Sequence, residues 1–85
     1  MSPRPGFFNQ MVVSYHGVLV DPGRAIRRMR TNPEINMSQA EVAKKAGFST
    51  SYISRLELNK AGSSMETYSK IARAMGITLD QLFGF

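Results

Sequence analysis

At 85 residues, 42% of them hydrophobic, the chain is long enough for one small domain around a single modest core. It contains no cysteine, which excludes disulfides and cysteine-ligated zinc and is compatible with a reducing cytoplasm. Eleven Lys and Arg against six Asp and Glu give a net charge of +5 and a pI near 10.1, a balance that suits a polyanionic partner.

No stretch approaches the roughly 18 uninterrupted apolar residues of a membrane span. Residues 11–20 are apolar, but Ser14, His16 and Gly17 interrupt them and no basic n-region precedes them, so they make a poor signal peptide. The expectation is a soluble, cytoplasmic protein. The run MVVSYHGVLV alternates and is rich in β-branched residues and Tyr, which predicts strand. Residues 1–20 are therefore read as an N-terminal extended arm, and residues 21–85 as a helical domain. A turn at His16-Gly17 would make a hairpin, but with arms of only three or four residues, marginal alone. The preferred expectation is a single strand paired antiparallel with the same strand of a second subunit, laying Val13, Tyr15 and Val18 onto the helices.

From Asp21 the period becomes helical, and capping chemistry marks the helix ends. Asp21 caps a first helix with Pro22 at its first position, where the missing N–H costs nothing; Ile26 and Met29 form its buried stripe and Pro33 stops it. In MSQAEV, Ser38 and Glu41 have the spacing of a capping box, and Met37 can staple onto Val42. This second helix runs to about Ala46, with Gly47 supplying the left-handed residue beyond it. Ser49 caps a third helix, anchored by Ile53 and Leu56. A fourth starts at Ser63 or Ser64 and carries Met65, Tyr68, Ile71, Ala72 and Met75 on one face. ITLDQL repeats the capping device with Thr78 and Gln81 to begin a fifth. Leu79, Phe83 and Phe85 place more apolar area at the C-terminal end than five short helices need, and are assigned to a two-fold interface.

The second and third helices are joined by very few residues, through Gly47, which is the sequence form of a helix-turn-helix. Ala43 lets the third helix approach the second closely. With Ile53 and Leu56 turned inward, Thr50, Ser51, Ser54 and Arg55 are forced outward, and such short polar side chains let a helix lie deep in a major groove.

MSQAEVAKKAGFSTSYISRLE and METYSKIARAMGITLDQLF together resemble the Cro and phage-repressor type of helix-turn-helix, the Xre family, over about residues 23–83. Two departures stand out. The link TNPEINM looks about two residues longer than usual, and the first twenty residues have no counterpart in the minimal domain. The resemblance implies an all-α, five-helix, lambda-repressor-like DNA-binding domain, here with an N-terminal β arm. It implies that Gln39 bonds a phosphate, that Thr50, Ser51 and Arg55 reach base edges with Ser54 on the margin, and that Lys60 contacts the backbone. Arg30 and Glu57 match a pair that forms an internal ion pair in many members. For Thr50 and Ser51, simple capping of the helix is an equal alternative, and Lys44 and Lys45 read as a solvated face.

One histidine, no cysteine, and carboxylates assigned mostly to caps or ion pairs argue against a metal site, a cofactor or an enzyme. The expected function is a sequence-specific double-stranded DNA-binding transcriptional regulator. It is expected to act as a homodimer on a near-palindromic operator, in a bacterial, phage or plasmid setting. The alternative is the antitoxin of a toxin–antitoxin pair with autoregulatory DNA binding, its first twenty residues being the candidate neutralising segment.

Overall fold

The computed structural model describes residues 12–85; the first part of the predicted arm, residues 1–11, lies outside them. Two short strands, β1 (Val13–Tyr15) and β2 (Val18–Val20), precede five helices: α1 (Pro22–Arg30), α2 (Gln39–Ala46), α3 (Thr50–Glu57), α4 (Met65–Ala74) and α5 (Leu79–Phe83). No helix among the described residues is long and apolar enough to cross a membrane.

The arm differs from the expected single strand. β1 and β2 pair with each other, antiparallel, in the register Val13 with Val20, Ser14 with Leu19 and Tyr15 with Val18. His16 and Gly17 both take positive φ, 52° and 77°, the backbone of a two-residue type I′ turn whose twist matches the flanking strands. So short a hairpin is marginal alone, and the missing support comes from docking. Val13, Tyr15 and Val20 share one face and pack against the helical core. Val18 lies on that face but remains 49% exposed, so of the three residues expected on the helices only Val13 and Tyr15 reach the core.

Each helix begins where a side chain can satisfy its free N–H groups. Asp21, Ser38, Ser49, Ser64 and Thr78 accept from the backbone at Arg24, Glu41, Tyr52, Thr67 and Gln81. Ser38 with Glu41, and Thr78 with Gln81, close full capping boxes. Between α1 and α2 the longer link curls back on itself. The carbonyl of Asn32 accepts from Ile35 and Asn36, Asn36 is left-handed at φ 47°, and the Met37 N–H returns to the Arg30 carbonyl at 3.0 Å.

The core gathers Ile26 from α1, Val42 and Ala43 from α2, Ile53 and Leu56 from α3, Tyr68, Ile71 and Ala72 from α4, and Leu82 from α5, all essentially without solvent contact. Fully burying an Ile or Leu side chain stabilises by roughly 1.5–3 kcal/mol, so these residues fix the inner face of α3 firmly. Phe83, expected on a dimer surface, is 6% exposed and belongs to the subunit's own core. Its ring meets Tyr15 edge-on at 5.0 Å and Tyr68 at 5.9 Å. Tyr68 covers it from α4, and Tyr15 covers it from the hairpin.

Candidate nucleic-acid interface

α2 and α3 are separated by Gly47, Phe48 and Ser49. Gly47 stands at φ 84°, and the N–H groups of Gly47 and Phe48 both turn back to the Ala43 carbonyl, at 2.9 and 2.8 Å. The chain thereby passes from α2 to α3 within three residues. Ser49 then caps α3 through its Oγ, 3.1 Å from the Tyr52 nitrogen. The cap is thus supplied by Ser49, and among the described residues the hydroxyls of Thr50 and Ser51 bond no other protein group. Both are exposed, as is Arg55; Ser54 is half-buried beside the core-facing Ile53.

A bonded cluster ties the end of α3 to α1 and to the start of α2. Arg30 donates from Nε to Glu57 Oε2 at 2.7 Å and from Nη2 to Oε1 at 2.9 Å, a two-pronged pair. Its Nη1 reaches the Met37 carbonyl at 3.1 Å. The pair is largely withdrawn from water, the side chains being 14% and 4% exposed. Glu57 raises the pKa of the Arg30 guanidinium still further, outweighing the opposing effect of burial. Gln39, expected at a phosphate, donates its Nε2 to Glu57 Oε1 at 3.1 Å. One amide hydrogen of Gln39 is engaged there, and the second remains for another acceptor.

The close packing of α1 on α3 rests on Gly23. A Cβ at that position would lie 2.3 Å from the Leu56 carbonyl oxygen and 2.9 Å from that of Glu57. Only a residue without a side chain lets the start of α1 lie on the last turn of α3.

Lys60 is exposed in the segment between α3 and α4. Its N–H bonds the Arg55 carbonyl at 2.9 Å, beside Asn59 at φ 57°. The Asn59 amide donates to Asp21 Oδ1 at 3.1 Å, and Tyr52 Oη donates to Ser63 Oγ at 2.7 Å. Neither contact was anticipated. An Asn two residues past a helix end is a recognisable left-handed candidate, but nothing local names Asp21 as its partner.

Between the hairpin and α5, Tyr15 donates its hydroxyl to Asp80, and His16 Nε2 stands 3.5 Å from the same carboxylate. The bond from Tyr15 holds the Asp80 carboxyl below its usual range, with His16 adding to the effect; Asp80 in turn pushes the Tyr15 phenol up. Phe85 is half exposed, its ring edge-on to Tyr15 at 5.2 Å, and Leu79 is half-buried. A cleft of about 690 Å³ between α2 and α4 is lined by Lys45, Lys70 and Arg73 with Met37, Ala46, Ala74 and Met75, and includes none of the outward residues of α3. Among the described residues no three His, Asp or Glu side chains converge as a metal site would need.

A helix-turn-helix family model, HTH_3, matches residues 26–82. The restriction-modification controller protein C.AhdI from Aeromonas hydrophila has a similar structure, with a TM-score of 0.66 and 29% identity over 73% of this chain and 87% of that one. The clp gene regulator ClgR from C. glutamicum shares the fold, with a TM-score of 0.66 and 24% identity over 72% of this chain and 77% of its own. No curated protein matches the chain.

Proposed function

The chain belongs to the helix-turn-helix family of the Cro and phage-repressor (Xre) type, and from that premise we propose that it is a transcriptional regulator reading double-stranded DNA through α3. The observation that carries the reading is the division of that helix. Ile53 and Leu56 are locked in the core, Ser49 does the capping, and Thr50, Ser51 and Arg55 are left exposed, with no side-chain partner among the described residues. Arg55 has the donor geometry to bond guanine O6 and N7 together, and the short hydroxyls let the helix sit deep in the groove with Ser54 at the margin. Lys60 and the free amide hydrogen of Gln39 serve as phosphate contacts, which position the domain without reading sequence.

The regulator acts as a homodimer, placing two copies of α3 in successive major grooves of a near-palindromic operator. Phe85, Leu79 and Val18 offer apolar area to that interface, whereas Phe83 lies inside its own subunit. The likeness to a restriction-modification controller supports a role at a promoter in a bacterial, phage or plasmid setting, within the cytoplasm. Selection from a pool of random duplexes tests the reading: recovery of one two-fold symmetric motif is the expected result, and recovery of unrelated sequences overturns it.

A further inference from the structure

The segment carrying Lys60 is tied down at both ends. At its start, Asn59 holds the left-handed conformation and bonds Asp21, while the Lys60 N–H caps the carbonyl of Arg55. At its end, Ser63 is gripped twice: Tyr52 on α3 donates to its hydroxyl at 2.7 Å, and its own N–H donates to the hydroxyl of Tyr68 at 3.2 Å. Tyr68 is wholly buried, so Ser63 is fastened to the core on one side and to α3 on the other.

Tyr52 lies within the helix that reads DNA, yet its ring is half-buried, packs edge-on against Phe48 at 5.2 Å, and has its hydroxyl engaged with the following segment. Its polar end is directed to Ser63, not to a ligand. A lysine on an unrestrained loop loses backbone freedom whenever it engages a phosphate, and that loss weakens binding. A loop already fixed relative to α3 avoids it. It also holds the phosphate contact and the base-reading side chains in one register.

We propose that Tyr52 and Ser63 are positioning residues for DNA binding: their hydrogen bond fixes the loop so that the Lys60 ammonium meets the phosphate backbone in register with Thr50, Ser51 and Arg55. This rests on the reading of α3 as the DNA-contacting helix. The partner addressed is the sugar-phosphate backbone beside the operator bases. Neither Tyr52 nor Ser63 touches it.

The test measures affinity of the full chain for the duplex recovered by selection, across a range of salt concentrations. Tyr52→Phe keeps the ring on Phe48 and removes one hydroxyl. It lowers affinity about three- to ten-fold, the scale of one hydrogen bond, leaves base preference unchanged and flattens the salt dependence. Amide exchange at Lys60 and Ala61 quickens in this variant. Ser63→Ala repeats the effect and Ser63→Thr restores binding. Introduced into Lys60→Ala, Tyr52→Phe produces no further loss. Equal loss with and without Lys60, or unchanged affinity in Tyr52→Phe, overturns the positioning role while leaving duplex recognition intact. Failure of the unaltered chain to select any motif overturns both.

Discussion

Arg30 and Glu57 meet as a two-pronged ion pair between α1 and the last turn of α3, with Gln39 adding a third donor to the same carboxylate. Removing either charged partner strands the other in a site with little access to water. Arg30→Ala and Glu57→Ala should each cost about 3–5 kcal/mol, whereas replacing both by apolar side chains of similar size should cost less than either alone. Urea unfolding of the singles and the double gives the coupling directly. Additive losses would mean that the pair is not the unit that holds α3 to α1.

The position of Phe83 separates a core residue from an interface residue. Phe83→Ala should destabilise the subunit by about 3–5 kcal/mol, independently of protein concentration, because its contacts with Tyr15 and Tyr68 lie within one chain. Tyr15→Ala should lower the melting temperature by less, since its ring is only partly enclosed. A loss for Phe83→Ala that disappears at high concentration would return this residue to the dimer interface.

Acid and alkali should both weaken the polar hold on the hairpin. The folded pKa of Asp80 is depressed by its bonds, so its stabilising contribution is complete above the unfolded value near 4 and disappears as the pH falls below it. Glu41 is depressed too, chiefly by the Ser38 N–H, and loses its contribution over the same range. The Tyr15 pKa is raised, so its contribution is complete below about pH 10 and is lost as the pH climbs through the folded value. Asp80→Asn should flatten the acid limb at the hairpin, monitored by the ring resonances of Tyr15, while the change at the start of α2 persists.

On DNA, Arg55 and Lys60 should behave differently. Arg55→Ala should cost about 1–3 kcal/mol at one operator position and relax the preference there. Lys60→Ala should weaken all sequences alike and reduce the slope of log affinity against log salt by about one per subunit. Sedimentation at tens of micromolar, free and on the duplex, tests the two-fold assembly; a monomer in both states would exclude it.

Gly23→Ala should destabilise by about 1–3 kcal/mol, because the added methyl meets, besides the Asn59 side chain, the backbone carbonyls of Leu56 and Glu57, which cannot swing aside. To relieve the contact, α1 and α3 must separate, so altered base preference in this variant is expected together with the lower melting temperature.

The parts of the fold legible in the sequence were those whose cause is local. Ser38 with Glu41 and Thr78 with Gln81 are three residues apart, and Gly47 ends α2 by a rule that needs no knowledge of what α2 packs against. The alternation of MVVSYHGVLV gave strand, and the turn at His16-Gly17 was visible. The choice of partner was not, because the hairpin is supported by Phe83 and Asp80, far along the chain. Phe83 was placed at the interface for the same reason: part of its cover, the ring of Tyr15, comes from the hairpin. In the candidate interface, the outward set on α3 follows from the positions of Ile53 and Leu56. The clasp of Asn59 on Asp21 and of Tyr52 on Ser63 depends on how helices meet, and the spacing of hydroxyls and amides in sequence contains no trace of it.

The bond between Tyr15 and Asp80 spans 65 positions, joining the first described element to the last. During synthesis β1 and β2 emerge before the five helices, yet the surface that holds them is completed only when α5 and Phe85 have been added. Until then the hairpin is too short to persist, and Val13, Tyr15 and Val20 stand uncovered on a growing chain. The helices carry their own caps, but at five to ten residues each they too persist only once packed on one another. Closure of the domain must wait for α5 and Phe85. A chain cut short before α5 therefore lacks the hairpin's seat as well as its last helix, and exposes apolar surface at both ends, the condition under which partly made proteins aggregate or are degraded.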